Sequence, residues 1–172
     1  LNRANPEAAR EEAEAAGWPY PFSTAAEMLE MARASGKSIA AMKRANEHIT
    51  RSPPELNRAV DGIAAAMNAC IDRGLREEGE LPGGLRVRRR AKRIHQQLLA
   101  EKGLNIAQPH ISNDWLSVYA MAVNEENAAG GKVVTSPTNG AAGVTPSVLR
   151  YYRDHCHGAT RDGERDFLLT AA

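Results

Sequence analysis

Cysteine is nearly missing from this chain. Only Cys70 and Cys156 occur in 172 residues. Two thiols cannot build a disulfide framework, which points to a reducing, cytoplasmic compartment. Aromatic residues are scarce as well, with two tryptophans, four tyrosines and two phenylalanines. Neither sign of charge is in excess: the formal net charge is +1, so the balance gives no ground for a nucleic-acid partner. No apolar run reaches 18 residues and no basic-then-apolar segment opens the chain, so neither a membrane span nor a signal segment is read. Period-two alternation is almost absent. The expected fold is all-α, a single helical domain with at most one short strand at residues 132–135.

Helix signals fill most of the length. Asn5 and Pro6 begin a surface segment over residues 5–16, which Gly17, Pro19 and Pro21 break. Trp18, Tyr20 and Phe22 in that break are expected to pin it onto the core. Thr24 and Glu27 form a capping box ahead of a helix that Gly36 ends, and Ser38 caps a short second one. Ser52, Pro53, Pro54 and Glu55 open the clearest amphipathic helix. Its stripe is Leu56, Val60, Ile63, Met67, Cys70, Ile71 and Leu75, which makes Cys70 a small core residue. A turn at residues 79–84 leads into a basic run at 86–93, read as the start of a helix from about Val87 to Glu101. A loop at 103–109 precedes a helix from about Ser112 to Glu126. Thr145 and Pro146 are read as the start of the next, which runs to about His155.

Residues 124–146, NEENAAGGKVVTSPTNGAAGVTP, stand apart as a polar insert between apolar rods. Gly130, Gly131, Asn139 and Gly140 permit φ > 0, and Pro137 fixes φ between them. Two carboxylates at the end of the preceding helix meet the negative end of its dipole, so partners or a ligand must offset that cost. The insert is therefore read as a site loop. Glu125 and Glu126 are its acid/base candidates, and Thr138 and Asn139 its local candidates for binding a small polar substrate.

Other motifs fail on their own terms. Residues 34–38, ASGKS, lack the earlier glycine and the preceding strand of a phosphate loop. His155, Cys156 and His157 are consecutive and have no second ligand cluster, so they read as a helix end rather than a metal site. The arginines at 86–93 have no interleaved aromatics, which leaves a helical binding module that uses them as an alternative rather than the main reading.

Residues 122–152, together with PYPFSTAAEMLEMARASGKSIAAM at 19–42 and GELPGGLRVRRRA at 79–91, resemble the catalytic α domain of the iron–sulfur-dependent L-serine dehydratases (L-serine ammonia-lyases). The resemblance implies a helical domain with a [4Fe–4S] cluster, L-serine as substrate, and elimination of water leading to pyruvate and ammonia. It further implies that Asn124, Asn127, Thr138, Asn139 and Gly140 shape and line the substrate pocket, with Glu125 and Glu126 as candidates for proton transfer. A homo-oligomer fits the reading, and neither nucleic acid nor membrane enters it. Ala142 occupies a slot that holds a cluster cysteine in some relatives, and Cys70 and Cys156 match none of the family's cluster positions. The chain begins with Leu1 and ends on FLLTAA without a stop signal, so it is read as a piece of the catalytic domain, without the regulatory domain or the cluster-cysteine region. On that reading the 172 residues alone bind no cluster and deaminate no serine. A pyridoxal-phosphate ammonia-lyase, with Lys132 as its reactive lysine, is a further alternative.

Overall fold

The computed structural model describes residue 11, residues 14–102 and residues 110–172. The expected helix start at Asn5 and Pro6 and the expected loop at 103–109 lie outside the described residues. Seven named helices follow in order: α1 (Ala25–Ser35), α2 (Ile39–Glu47), α3 (Pro53–Gly74), α4 (Ala91–Glu101), α5 (Ile111–Ala128), α6 (Asn139–His155) and α7 (Arg161–Ala171). The all-α class stands. Among the described residues, the only β pairing is an isolated antiparallel bridge between Glu80 and Arg88, and residues 132–135 form no strand. Val133, Val134 and Thr135 have β-branched side chains but no partner strand to pair with.

The described residues form two compact units, one from those up to 61 together with 161–172, the other from those within 62–160. In the first, the Thr24 hydroxyl accepts from the Glu27 amide and the Glu27 carboxylate reaches back, completing the expected capping box. Gly36 ends α1 in the left-handed conformation at φ 65°. The side chain of Asn46, buried on α2, donates to the Tyr20 carbonyl and accepts from its amide at 2.9 and 3.0 Å. Of the three aromatics expected to pin the proline-broken segment, Tyr20 and Phe22 are half-buried and Trp18 is 40% exposed, and the Asn46 clamp adds to their hold. Arg165 on α7 grips both oxygens of Asp61 at 2.8 and 2.7 Å, holding that carboxyl below the usual range.

The second unit contains the main core, in which Cys70 and Ile71 of α3 and Leu75 just past its end meet Leu98 of α4 and Trp115, Val118, Ala122 and Val123 of α5. Cys70 is 1% exposed, as its place on the stripe implied. Ile63, counted in the same stripe, is instead 44% exposed. Helices α5 and α6 pack antiparallel. The Ser147 hydroxyl donates to the Leu116 carbonyl, while Gly143 lies against the Ala120 carbonyl and the Asn124 side chain. Small residues at such a contact let backbones approach closely.

Two helix starts differ from expectation. The basic run does not open a helix at Val87. Leu81 donates to the Val87 carbonyl at 2.7 Å and Arg89 to the Gly79 carbonyl at 2.8 Å, so residues 79–89 fold back on themselves and α4 waits until Ala91. Backbone pairing across a tight turn, with Arg86 at φ 49°, outcompetes the helix that the arginines would otherwise favour. Likewise α6 starts at Asn139, not at Thr145. Thr138 is extended and its hydroxyl accepts from the Ala141 amide at 3.1 Å, while Pro146 sits inside the helix. Both threonines carry a cap signal, and the earlier one wins because Ala142 and Gly143 bury against α5 only if they are helical.

An aromatic and histidine cluster closes one side of this core. His155 stacks on Tyr151 with centroids 4.9 Å apart, lies 4.7 Å from Trp115, and its Nε2 is 3.1 Å from the Tyr119 hydroxyl. Burial lowers the His155 pKa below its ordinary 6.5 and pushes Tyr119 up to about 12. Lys102 and Arg150 add to the lowering at His155, and Asp154 opposes it. A histidine whose folded pKa is depressed contributes stability above 6.5 and loses it as pH falls through the folded value. Thermal unfolding midpoints are therefore expected to drop as pH is lowered from neutrality past about 6.5. The His155→Gln variant should show a shallower drop. An unchanged slope in that variant would assign the loss to other groups, among them His95, whose pKa burial also lowers.

Candidate active site

The segment 124–146 is a loop only at residues 129–138. Residues 124–128 complete α5, and 139–146 are the first half of α6. Helix α5 ends in a Schellman motif. Gly130 takes φ 76°, its amide donates to the Asn127 carbonyl at 3.1 Å, and the Gly131 amide donates to the Glu126 carbonyl at 2.8 Å. The second glycine is needed for a different reason, since a Cβ on Gly131 would lie 2.8 Å from a Glu126 carboxylate oxygen. Gly140, expected to turn the chain through φ > 0, is instead an ordinary helical residue in the first turn of α6.

Both carboxylates at the end of α5 are 5% exposed, and each has found a cationic or dipolar partner. Glu126 accepts from Arg73 Nε at 3.1 Å and from Arg89 Nη1 at 2.8 Å, while Arg73 also reaches the Lys132 carbonyl at 2.6 Å. Glu125 Oε1 accepts from the backbone amides of Arg90 and Ala91 at 2.7 and 3.3 Å, and its Oε2 has one longer contact of 3.4 Å to Ala91. Those amides are the positive end of α4, which has no local side-chain cap, so Glu125 caps α4 from another helix. The expected unfavourable meeting of charge and dipole is thus resolved twice over.

The other residues singled out from sequence fall in two places. Asn124 is exposed at the α5–α6 contact, and Asn127 lies one turn further on, half-buried. Thr138 caps α6, and Asn139 and Gly140 are exposed in its first turn. The antiparallel packing puts the end of α5 beside the start of α6, so these groups share one end of the helix pair. Ala142 is buried on α6. What sequence reasoning missed is the set of partners. Arg73, Arg89 and the α4 amides lie 53, 37 and 35 residues from the acids they meet.

A cleft of about 430 Å³ opens between the 79–89 turn and α5. Leu81, Val87 and Met121 give it apolar walls, and Arg88, Arg90 and Asn124 give it polar ones. Glu125 also faces it, so one of the two proposed proton-transfer groups borders space a small molecule can enter.

No set of three histidine, cysteine or acidic side chains among the described residues is placed to hold a metal ion. Cys70 sits in the apolar core, where burial pushes its thiol pKa up, and Cys156 is exposed just past the end of α6. A buried thiol that resists ionisation and a surface thiol at a helix end do not make a cluster site. No described helix is long and apolar enough to cross a membrane.

The family model described as "Serine dehydratase alpha chain" matches residues 25–172. The L-serine dehydratase of Streptomyces coelicolor is 49% identical over 153 residues, covering 88% of this chain and 32% of that protein. L-serine dehydratase 1 of Escherichia coli is 46% identical over 137 residues, covering 80% of this chain and 30% of its own length. L-serine dehydratase 2 of the same organism is 39% identical over 154 residues, covering 90% and 34%. The chain thus spans about a third of the length of these curated relatives.

Proposed function

This chain belongs to the serine dehydratase alpha-chain family, and we propose that the complete protein containing it converts L-serine to pyruvate and ammonia. The observation that carries the reading is a family match running unbroken through both the 79–91 and the 124–146 segments. In the reaction, L-serine loses its α-proton and its hydroxyl as water to give aminoacrylate. Tautomerisation to the imine and hydrolysis then release ammonia and leave pyruvate. Compartment and assembly follow the same reading: a reducing cytoplasm, and a homo-oligomer as an assembly compatible with it. The relatives give no support to a pyridoxal-phosphate enzyme or to a nucleic-acid-binding module.

The residues at hand divide the work as follows. Asn124, Asn127, Thr138, Asn139 and Gly140 bind substrate from the shared end of α5 and α6, through carboxamides and the exposed first turn of a helix. Of the two carboxylates, Glu125 is the better placed for proton transfer, because it borders the cleft and one of its oxygens has only a single long contact. Glu126, gripped by two guanidinium groups, serves chiefly to fix the end of α5. The resemblance implies an iron–sulfur cluster that would assist departure of the hydroxyl. These 172 residues do not fit one, and no step here passes through it.

The test compares the complete protein with the 172-residue chain after anaerobic treatment with iron and sulfide, reading visible absorption and serine-dependent pyruvate. The complete protein is expected to turn brown and form pyruvate, and the chain alone to do neither. A complete protein that forms no pyruvate from serine would overturn the function. Pyruvate from the chain alone would overturn the assignment of the missing chemistry to residues outside it.

A further inference from the structure

We propose that Arg88 and Arg90 are the carboxylate-binding residues of the cleft beside α5, holding the carboxylate of a small α-substituted acid. The basic run is not one patch but two sets. The run turns tightly at Arg86, where φ is 49°, and ends on the N-cap of α4, and its arginines divide by what they meet. Arg89 turns inward to Glu126 and is only 9% exposed, and Lys92 on the helix beyond pairs with Glu78. Arg88 and Arg90, two positions apart, both line the cleft and have no acidic side-chain partner among the described residues. Two guanidinium forks bordering one cleft suit a planar carboxylate, which they can bind with paired N–H donors.

The surroundings favour an anion of small size. Leu81, Val87 and Met121 give one wall an apolar face against which the aliphatic part of a small acid can lie. Glu125 faces the same space and would repel a carboxylate if its charge were free. However, its Oε1 is already met by the Arg90 and Ala91 amides at the positive end of α4. Glu125 and Asn124 line the same cleft as the arginines and offer polar groups to the rest of a molecule held there by its carboxylate. An acid with a polar substituent on its α-carbon is the ligand class this arrangement takes.

For the identity of the acid as L-serine, the proposal rests on the dehydratase reading. For the carboxylate itself it does not. Titration of the 172-residue chain with L-serine and with L-serinamide, followed by amide shifts in nuclear magnetic resonance, separates the two. Serine is expected to shift residues 81, 87–91 and 121–125 saturably, with 127 and 138–140 beside them, and serinamide to bind at least tenfold more weakly, on the order expected for loss of a charged hydrogen-bond pair. Arg88→Gln and Arg90→Gln should each weaken serine binding by about tenfold while leaving serinamide binding unchanged. Both keep their backbone amides, so the α4 cap is preserved and far-ultraviolet circular dichroism should be unaltered.

In the complete protein the same variants should raise KM for serine with little change in kcat, a split that a merely structural role would not give. Serinamide binding as tightly as serine, or shifts confined to residues 138–141, would overturn the carboxylate site. So would shifts that chloride reproduces at equal ionic strength. Expected shifts beside a complete protein that makes no pyruvate would instead overturn the serine reading and leave the cleft assignment standing.

Discussion

Replacing Glu126 with alanine is expected to destabilise the 62–160 unit by about 3–5 kcal/mol, the cost of removing one partner of a buried ion pair. Glu126 and Arg89 have side chains that are 6% and 9% exposed and lie 2.8 Å apart. Removing the carboxylate leaves the Arg89 guanidinium desolvated and unpaired, and frees Arg73, which holds the same carboxylate and the Lys132 carbonyl. The 79–89 turn would lose its anchor on α5. Urea unfolding should show a large fall in the transition midpoint. A double replacement, Glu126→Leu with Arg89→Met, should recover much of the loss, because two apolar side chains leave no charge to compensate. A Glu126→Ala midpoint equivalent to less than about 1 kcal/mol would mean that the pair is solvated enough to be dispensable.

Gly74→Ala should be nearly as damaging, and its sign is diagnostic. Intrinsic helix propensity favours alanine over glycine by about 1 kcal/mol, so a helix considered alone would gain. In α3, however, a Cβ on Gly74 would lie 2.3 Å from the Ala122 carbonyl oxygen and 2.7 Å from its carbon. Those atoms belong to the backbone of α5 and cannot swing aside as a side chain would. Separating the two helices by even a few tenths of an ångström loosens the packing of Ile71 and Val118, both 0% exposed. A loss of about 1–3 kcal/mol or more is expected. Gly62→Ala in the same helix is the control, since nothing lies within 4 Å of its Cβ position, and that variant should be neutral or stabilised by up to about 1 kcal/mol. Equal effects at the two positions would show that propensity, not the close approach, governs α3.

Local signals carried most of the fold. The capping box at Thr24, the left-handed Gly36 and the buried stripe on α3 involve atoms a few residues apart, and such chemistry can be read along a line. Where two local signals competed, sequence had no means of ranking them. Thr138 and Thr145 are both sound helix starts, and only the fit of Gly143 against Ala120 selects the first. The basic run misled for the same reason, because its helix tendency was judged without the Gly79 and Leu81 backbone that pairs with it. At the site, the unfavourable placement of Glu125 and Glu126 at a helix end was legible, and so was the need for partners. Which partners could not be read. Arg73, Arg89 and the amides of α4 meet those acids only once three helices are assembled.

The capping of α4 by Glu125 links the order of folding events. A helix of 11 residues with no N-terminal cap of its own is marginal in water, since the first turn must be fixed before it gains any hydrogen bond. The group that satisfies its first amides arrives from a residue 35 positions later in the chain. Nucleation of α4 is therefore a non-local event, coupled to the docking of α5. The cost of closing that loop falls on the transition state rather than on the helix. Helix α4 and the last turn of α5 accordingly gain and lose their order as one cooperative element.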